Sequence, residues 1–490
     1  MNSKTLLAID QGTTSSRSIL FSSDGGHLAT SQKELTLFYP HKSWVEQDAK
    51  QIWQDCLATA REVASRSKHI AAIGITNQRE TTVIWDRKTG EPIYNAIVWQ
   101  DRRTADYCKE LKSKGLEEII SEKTGLLIDP YFSATKIVWL LDNVKDARVL
   151  AEKGELAFGT IDSWLLWNLT GGKVHATDIT NACRTLLFNI KTQQWDDELL
   201  RIFNIPKSLL PEVCENVSDF GMTEEELFET QLPILGMAGD QQAAVIGQAC
   251  FEPGMIKSTY GTGCFALINI GPEFKASANR LLTTVAYKIN GELSYAIEGS
   301  IFVAGAAVQW LRDNVNFFEN AAESESLALS VPDANGVYFV PAFTGLGAPH
   351  WDANARAAVF GLTRESTKAH ITRAVLEAQA YQTRDLMGAM EKDGGQKPEI
   401  IRVDGGLVAN HFVCQFLADI LDTPVEVPEN AETTALGAAY LAGLGAGVFK
   451  DLGDISTKWK QARRYDPKID QEKREALYQE WKDCVRRILP

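Results

Sequence analysis

The sequence of 490 residues predicts an α/β fold made of two similar domains with a cleft between them. The first observation is that strand patterns alternate with helix patterns from the start of the chain to about residue 250. The second is that the rest of the chain opens in the same way, with hairpin strands around a Gly/Thr turn before helices begin. We therefore expect one domain over residues 1–250 and another over residues 251–490, closely apposed because no low-complexity linker separates them.

The first domain is predicted to begin as a strand meander. Thr5–Ile9 is a short apolar strand, Ser18–Phe21 is a second strand, and His27–Leu35 alternates enough to form a third. Residues 48–67 carry apolar side chains at helical spacing. Ile70–Ile75 is the next predicted strand, so the pattern is that of an α/β domain.

The second domain is predicted to open on two hairpins. Met255–Tyr260 and Cys264–Ile270 flank a Gly/Thr turn. Leu281–Ile289 and Leu293–Ile297 are joined by Asn-Gly, which is a strong signal for a tight hairpin. The elements predicted further along are a helix over 303–313, a strand over 400–403, a helix over 410–421 and a buried helix within 433–449.

The composition fits a globular protein and disfavours nucleic acid as a partner. Hydrophobic residues make up 44% of the chain, and the formal net charge is −14. An acidic surface repels polyanions, although backbone amides can still build a local phosphate site. Eight cysteines are scattered without a C-x-x-C pair, which favours a reducing, cytoplasmic compartment. The longest uncharged stretches, 334–351 and 433–449, carry prolines or glycines, so we expect no membrane insertion.

Three glycine-containing turns follow predicted strands. They are the segments 10–17 (DQGTTSSR), 260–263 (YGTG) and 403–406 (VDGG). For segment 10–17 alone, an ordinary turn is an equally good interpretation, and for 260–263 alone it is the better one. Segment 403–406 alone is also a weak signal, but together the three predict a nucleotide cleft. Asp10, at the end of the first strand, can hold a hard cation through water. None of the three matches a Walker A or a dinucleotide-binding motif.

Two groups of polar residues also stand at predicted strand ends, where α/β clefts bind ligands. Arg79 and Glu80 follow strand Ile70–Ile75, and the pair can donate to and accept from neighbouring hydroxyls. A surface ion pair is the alternative interpretation. Asp240 follows the predicted strand Pro233–Met237 and can accept the proton of an attacking hydroxyl. A helix N-cap is the alternative for Asp240.

As a set, these motifs resemble the glycerol-phosphorylating members of the FGGY carbohydrate kinase family. The resemblance implies the fold of the actin, hexokinase and heat-shock ATPase superfamily, in which two ribonuclease-H-like domains close on ATP and substrate. The matching segments extend over most of the chain. They are AIDQGTTSSR (8–17), GITNQRETTVIWD (74–86), NAIVWQDRRT (95–104), IDPYFSATK (128–136), GDQQAA (239–244), STYGTGCF (258–265), ANGVYFVPAFTGLGAP (334–349) and VDGGLVAN (403–410).

The resemblance further implies a role for each matched residue. Asp10 supports a Mg²⁺ ion, and Asp240 is the general base that draws a proton from the 3-hydroxyl of glycerol. Without the resemblance, Trp99 and Tyr131 would be interpreted as core aromatics. The residues implied at the polyol are Arg79, Glu80, Trp99, Tyr131, Asp240, Gln241 and Phe265. The residues implied at ATP are Thr13, Thr14, Ser15, Arg17, Thr262, Gly263, Gly305, Gln309, Gly406 and Asn410.

The implied function is ATP-dependent phosphorylation of glycerol by a cytoplasmic homodimer or homotetramer, with Mg²⁺ as cofactor and ADP as product. Two other hypotheses remain open. The first is a kinase of the same family that acts on a longer polyol or sugar. The second is a non-enzymatic nucleotide switch of the actin or chaperone kind. The complete set of Arg79, Glu80, Tyr131 and Asp240 argues against a switch, which needs no polyol site.

Overall fold

The computed structural model describes residues 4–350, 352, 354–394 and 396–489. In the first half the elements are β1 (Thr5–Gln11), β2 (Ser15–Ser22), β3 (His27–Glu34), β4 (Glu46–Gln47), α1 (Ala49–Ala64), β5 (Ile70–Asn77), β6 (Val83–Asp86), β7 (Ala96–Ile97), α2 (Ala105–Ser113), α3 (Glu117–Thr124), α4 (Ser133–Asn143), α5 (Ala147–Glu152), β8 (Leu156–Gly159), α6 (Ile161–Leu169), β9 (Ala176–Asp178), α7 (Ile179–Ala182), β10 (Phe188–Asn189), β11 (Gln194–Trp195), α8 (Asp197–Phe203), β12 (Glu212–Cys214), α9 (Glu225–Phe228), β13 (Ile234–Gly239) and α10 (Asp240–Gly247).

In the second half the elements are β14 (Ile256–Tyr260), β15 (Cys264–Gly271), β16 (Leu282–Ile289), β17 (Glu292–Ile301), α11 (Gly305–Asp313), α12 (Glu323–Leu329), β18 (Tyr338–Val340), β19 (Ala358–Phe360), α13 (Lys368–Gly394), β20 (Ile401–Asp404), α14 (His411–Leu421), β21 (Val425–Pro428), α15 (Thr433–Gly445), α16 (Leu452–Ser456), β22 (Gln461–Tyr465) and α17 (Gln471–Arg486). Single 3₁₀ turns span Lys207–Leu209 and Gly406–Ala409.

Each half of the chain builds one large sheet, and the two sheets share a strand order. The first sheet runs β13-β5-β1-β2-β3, and the second runs β16-β17-β15-β14-β20-β21-β22. In both, the first strand of an antiparallel hairpin pairs with a parallel strand, and that strand pairs in turn with a second parallel strand. This repeated order is that of two ribonuclease-H-like domains, so the predicted fold class is confirmed.

The predicted elements of the first sheet are present, with one informative difference. The second strand begins at Ser15 rather than Ser18, because the ladder between β1 and β2 continues to the pair Gln11 and Ser16. The turn between the two strands is therefore confined to residues 12–14. The predicted helix over 48–67 is α1, whose first turn is capped by the side chain of Asp48.

Helices α10 and α15 cross between the two sheets and join the halves of the molecule. At the crossing, a methyl group added to Gly437 of α15 would overlap the carbonyl oxygen of Ala243 in α10. Apolar residues of both sheets pack on this pair, including Ala8 from β1 and Leu267 from β15. The predicted buried helix within 433–449 is thus α15, and it belongs in sequence to the second half while covering the first sheet.

The described residues contain no helix that is both long enough and apolar enough to cross a membrane. All eight cysteines are unpaired, and seven of them are buried. The chain therefore relies on its cores rather than on disulfide bonds for stability.

Candidate active site

Three parallel strands end at one edge of the first sheet. Their ends bring together there the residues predicted to bind the polyol, which is the phosphoryl acceptor, and the residue predicted to support the metal ion. In the ladder, Asp10 of β1 pairs with Thr76 of β5, and Thr76 pairs in turn with Ala238 of β13. Arg79 is the second residue after β5, and Asp240 directly follows β13. Because parallel strands end together, the sheet places these side chains around one cleft.

The turn after β1 presents small polar groups beside a charged pair. The Gly12 amide donates to the Ser15 carbonyl at 2.9 Å, which closes the turn. Asp10 lies opposite Arg17 in the ladder, and Arg17 Nη2 is 2.6 Å from Asp10 Oδ2. Arg17 Nη1 also lies 2.6 Å from Glu432, at the start of α15. The guanidinium therefore lies between two carboxylates, which neutralise its charge.

Asp10 is a chemically reasonable support for Mg²⁺. Among the described residues, no group of three or more His, Cys, Asp or Glu side chains is arranged to hold a metal ion. Mg²⁺ in phosphotransfer sites keeps several waters and is bound by one or two carboxylates plus substrate phosphates. A single buried carboxylate beside the small polar groups of the turn after β1 fits that mode of binding.

Arg79 and Glu80 are buried, so their interpretation as a surface ion pair is wrong. Each side chain is only 2% exposed. Arg79 Nε lies 3.1 Å from Asp240 Oδ1. Glu80 has a φ of 61°, a left-handed conformation that is uncommon for a residue other than glycine. Its carbonyl accepts hydrogen bonds from Ser133 and Thr82, which hold the strained turn in place.

Arg184 and Glu298 complete this buried cluster, and neither was predicted from the sequence. Arg184 Nε lies 2.6 Å from Glu80 Oε1, and Arg184 Nη2 lies 3.0 Å from Glu298 Oε1. Glu298 also accepts from Arg79 Nη1 at 2.6 Å. Burial would raise the pKa of Glu298, but the charges of Arg184 and Arg79 outweigh it and lower the pKa to about 2. The only sequence signal was a carboxylate within the apolar run of β17.

Three aromatic side chains line the cleft next to this cluster. The Trp99 ring meets Tyr131 edge-on at 5.5 Å and Phe265 edge-on at 6.4 Å between centroids. Phe265 comes from β15 of the second half, so the wall spans both halves. Trp99 Nε1 donates to Thr13 Oγ1 at 2.8 Å, which ties the aromatic wall to the turn after β1. Burial and the nearby Glu80 raise the pKa of Tyr131, so its hydroxyl stays protonated.

Asp240 is the first residue of α10 and faces the cleft. The cap position before it is Gly239, so the alternative interpretation as an N-cap is wrong, although Asp240 Oδ1 accepts from the Gln241 amide at 2.7 Å. The walls of the cleft remove most bulk water from around the carboxylate, yet 32% of the side chain remains exposed. This burial, opposed by Arg79 and reinforced by Glu80, raises the pKa of Asp240 to about 6. A carboxylate with that pKa is a competent base near neutral pH.

The turn after β14 packs on the start of α11. The Ala304 amide donates to the Thr262 carbonyl and the Gly305 amide to the Gly261 carbonyl, both at 2.9 Å. Side chains at Gly263 or Gly305 would prevent this contact, since an added Cβ would lie 2.7 Å from the Ile301 carbonyl or 2.6 Å from that of Gly261. The structure thus brings Thr262, Gly263 and Gly305 together.

The remaining predicted nucleotide residues lie on separate elements. Gln309 is exposed on α11. Gly406 is exposed after β20, with nothing within 4 Å of the place a Cβ would occupy, so a flat ring has room there. Asn410 is a helix N-cap, because its side chain accepts from the Val413 amide at 3.1 Å. Its amide nitrogen donates to Ser324 at 3.3 Å. The contacts of Asn410 therefore do not extend to the residues predicted at the polyol.

Comparisons with known proteins agree with this arrangement. Residues 5–247 match the N-terminal domain, and residues 256–446 the C-terminal domain, of the FGGY family of carbohydrate kinases. The chain is 62% identical over 492 residues to a glycerol kinase of Nitrosomonas eutropha, covering 100% of this chain and 99% of the relative. It is 59% identical over 487 residues to a glycerol kinase of Gluconobacter oxydans, covering 99% of this chain and 95% of the relative.

Solved structures give the same result. A crystal structure of Plasmodium falciparum glycerol kinase with ADP matches with a TM-score of 0.95 at 38% identity, covering 100% of this chain and 99% of that one. A crystal structure of gluconate kinase from Lactobacillus acidophilus matches with a TM-score of 0.89 at 25% identity, covering 99% of this chain and 98% of that one. On this evidence of sequence and fold, the chain belongs to the FGGY family of carbohydrate kinases.

Proposed function

We propose that this protein transfers the γ-phosphoryl group of ATP to the 3-hydroxyl of glycerol and releases sn-glycerol 3-phosphate and ADP. The observation that carries the proposal is the contact between Arg79 and Asp240 beside Glu80. This contact lies at the same edge of the first sheet as Asp10. A base, a donor and an acceptor of hydrogen bonds there match a small molecule with a hydroxyl on every carbon. The relatives named glycerol kinase support glycerol as that molecule.

In the proposed reaction, Asp240 accepts the proton of the 3-hydroxyl as its oxygen attacks the γ-phosphorus. The bond between that phosphorus and the bridging oxygen breaks, and ADP carries away the electron pair. The cluster around Arg79 and Glu80 holds the other hydroxyls, and Tyr131 donates a further hydrogen bond. Trp99 and Phe265 cover the carbon edge, with Gln241 alongside. A ligand that lacks a hydroxyl leaves one of these buried groups unpaired, which disfavours it.

For the nucleotide, we propose contacts from both turns. The phosphates of ATP lie against the turn after β1 and the turn after β14, and the adenosine lies towards the open face of Gly406. The proposed nucleotide residues are Thr13, Thr14, Ser15, Arg17, Thr262, Gly263, Gly305, Gln309, Gly406 and Asn410. Asp10 would hold Mg²⁺ through water, and the ion would neutralise charge on the phosphates.

The wider organisation is also a proposal. The domain of residues 1–250 binds the polyol and carries the loop for magnesium and phosphate, and the domain of residues 251–490 binds ATP. Closure of the cleft on the correct substrate excludes water and so limits wasteful hydrolysis of ATP. We propose a cytoplasmic homodimer or homotetramer, and a solution mass measurement tests the assembly.

The test of the reaction is direct. Purified protein is incubated with ATP, Mg²⁺ and glycerol, and the products are followed by phosphorus NMR and by a stereospecific assay for sn-glycerol 3-phosphate. We expect one phosphate monoester per ADP formed. Release of inorganic phosphate without any ester would contradict the proposal.

A further inference from the structure

Lys257 is a buried cation in β14 whose role neither the sequence motifs nor the proposed reaction explains. Its side chain is fully buried. Its Nζ donates to Gln241 Oε1 at the start of α10 and to Thr259 Oγ1 at 3.1 Å. An ammonium has three N–H donors, and the described residues supply two acceptors.

The charge of Lys257 is also unpaired. Both acceptors are neutral oxygens, and no carboxylate of the described residues forms an ion pair with it. Burial lowers the pKa of Lys257, although nearby Asp404 and Asp240 oppose the shift. A buried charge without a counter-ion costs several kcal/mol, and proteins seldom keep one unless a ligand supplies the opposite charge.

Three other buried cations have a counter-ion or a full set of hydrogen-bond acceptors. Arg79 and Arg184 share the carboxylate of Glu298. Lys136, the comparable lysine, donates to the carbonyls of Pro130, Tyr131 and Phe132, so all three of its donors are satisfied. The incomplete set of partners therefore distinguishes Lys257 from Lys136.

The position of Lys257 indicates which ligand could bind its third N–H group. Its partner Gln241 directly follows the proposed base Asp240. Its other partner, Thr259, is partly exposed on the same face of β14, and the strand leads within two residues to the turn at Gly261–Gly263. Nζ therefore lies between the acceptor side and the phosphate side of the cleft, where a phosphoryl group must pass.

We propose that Lys257 is a catalytic residue that binds a terminal oxygen of the phosphoryl group during transfer. The ammonium exchanges the Gln241 amide oxygen for a phosphoryl oxygen and stabilises the negative charge there, without gaining or losing a proton. This inference rests on the proposed phosphoryl transfer. The bonds that form and break are those already described, so no further reactant is needed.

The test compares binding of the ground state with binding of a mimic of the transferring group. In wild type and Lys257→Met, we measure kcat with glycerol, the Kd of MgADP, and the Kd of MgADP with aluminium fluoride in the presence of glycerol. We expect kcat to fall by about 10²- to 10³-fold, as when one transition-state donor is removed. The aluminium fluoride complex should weaken by a similar factor, while MgADP alone should change by less than about threefold.

The matched control is Lys136→Met, which also removes a buried ammonium. Glycerol is kept saturating for each variant, because Lys136 holds the carbonyl of Tyr131. A purely structural loss lowers the melting temperature in both variants but leaves the ratio of the two Kd values, for MgADP alone and for MgADP with aluminium fluoride, unchanged. We expect that ratio to change only in Lys257→Met. Should Lys257→Met fail to fold, Lys257→Gln keeps a donor without the charge and should show the same loss. Unchanged kcat, or equal weakening of both complexes, in the variant that folds would overturn the inference. A wild-type protein that does not phosphorylate glycerol would instead overturn the proposed function.

Discussion

The guanidinium of Arg79 lies 2.6 Å from the carboxylate of Glu298, although 219 residues separate the two in the chain. Arg79 follows β5 of the first sheet, and Glu298 lies within β17 of the second. The pair therefore links the two halves of the molecule directly beneath the acceptor site. The same Arg79 contacts Asp240. The position of the proposed base therefore depends, through Arg79, on Glu298 from the other half.

Removing the charge of Glu298 should destabilise the protein and disturb the acceptor site. In Glu298→Gln, the guanidinium groups of Arg79 and Arg184 lose their shared counter-ion in a fully buried position. Breaking such a pair costs about 3–5 kcal/mol. We expect a melting temperature lower by several degrees and a higher KM for glycerol, measured by thermal unfolding and by initial rates.

Glu122→Gln is the matched control for this variant. Glu122 pairs with Lys191 at the surface, where ion pairs are worth about 0–1 kcal/mol. Its melting temperature and KM should stay close to those of the wild type. Equal behaviour of the two variants would show that the buried link is not important.

The pKa of Asp240 should be visible in the pH dependence of turnover. Because the base must be ionised and its pKa in the ligand-free protein is raised to about 6, kcat/KM for glycerol should fall about tenfold per pH unit below pH 6. An aspartate with an ordinary pKa, near 3.8, would keep full activity to about two units lower. The measurement is the initial rate at glycerol concentrations well below KM, over the pH range in which the protein stays folded.

Asp240→Asn tests the same role without a change of pH. We expect kcat to fall by about 10²- to 10⁴-fold, which is the usual contribution of a general base, and the residual rate to lose its dependence on pH near 6. The melting temperature should change little because the side chain faces the cleft. Turnover near the wild-type level would exclude Asp240 as the base.

Two helical glycines should respond in opposite ways to substitution by alanine: Gly437 lies at the crossing of α10 and α15, and Gly388 lies away from it. Gly437→Ala should destabilise the protein strongly, because the added methyl meets the backbone of Ala243, which cannot move aside. Gly388→Ala, in the middle of α13, meets nothing within 4 Å and should stabilise by about 0.5–1 kcal/mol. Thermal unfolding of the two variants decides the matter. A stable Gly437→Ala protein would contradict the close crossing.

Asp10→Asn should weaken the use of Mg²⁺. A neutral amide holds the waters of the ion less strongly, and loss of such an outer contact typically costs about 10- to 100-fold in metal affinity. The concentration of free Mg²⁺ needed for half-maximal rate should rise by that factor, measured at fixed ATP. An unchanged requirement for Mg²⁺ would remove Asp10 from the proposed metal site.

The elements of this structure that could be predicted from the sequence are those specified by residues close together in the chain. The apolar run Thr5–Ile9 and the Asn290-Gly291 turn specify strands and a hairpin that the structure contains, because their causes lie within a few residues. Asp240 and Arg79 are predictable as residues at strand ends. The partners of Arg79 are not, since Glu298 and Arg184 come near it only when distant elements pack together.

Similar reasons explain the other differences. Lys257 lies in β14 with no recognised motif of its own. Only the three-dimensional contacts show that two acceptors serve its three N–H groups. The early start of β2 at Ser15 follows from its pairing with β1, because isolated propensities favour a turn there. The placement of α15 over the first sheet depends on the small residues at its crossing with α10, which the periodicity of either helix does not reveal.

The central claim is that the acceptor site is built for glycerol, and the direct test is a comparison of acceptors. ADP formation is measured with glycerol, erythritol, xylulose and gluconate at the same ATP and Mg²⁺ concentrations. A site whose buried polar groups match three hydroxyls should give glycerol a kcat/KM at least about a hundredfold above the others. A kcat/KM for xylulose or gluconate that equals or exceeds that for glycerol would contradict the account.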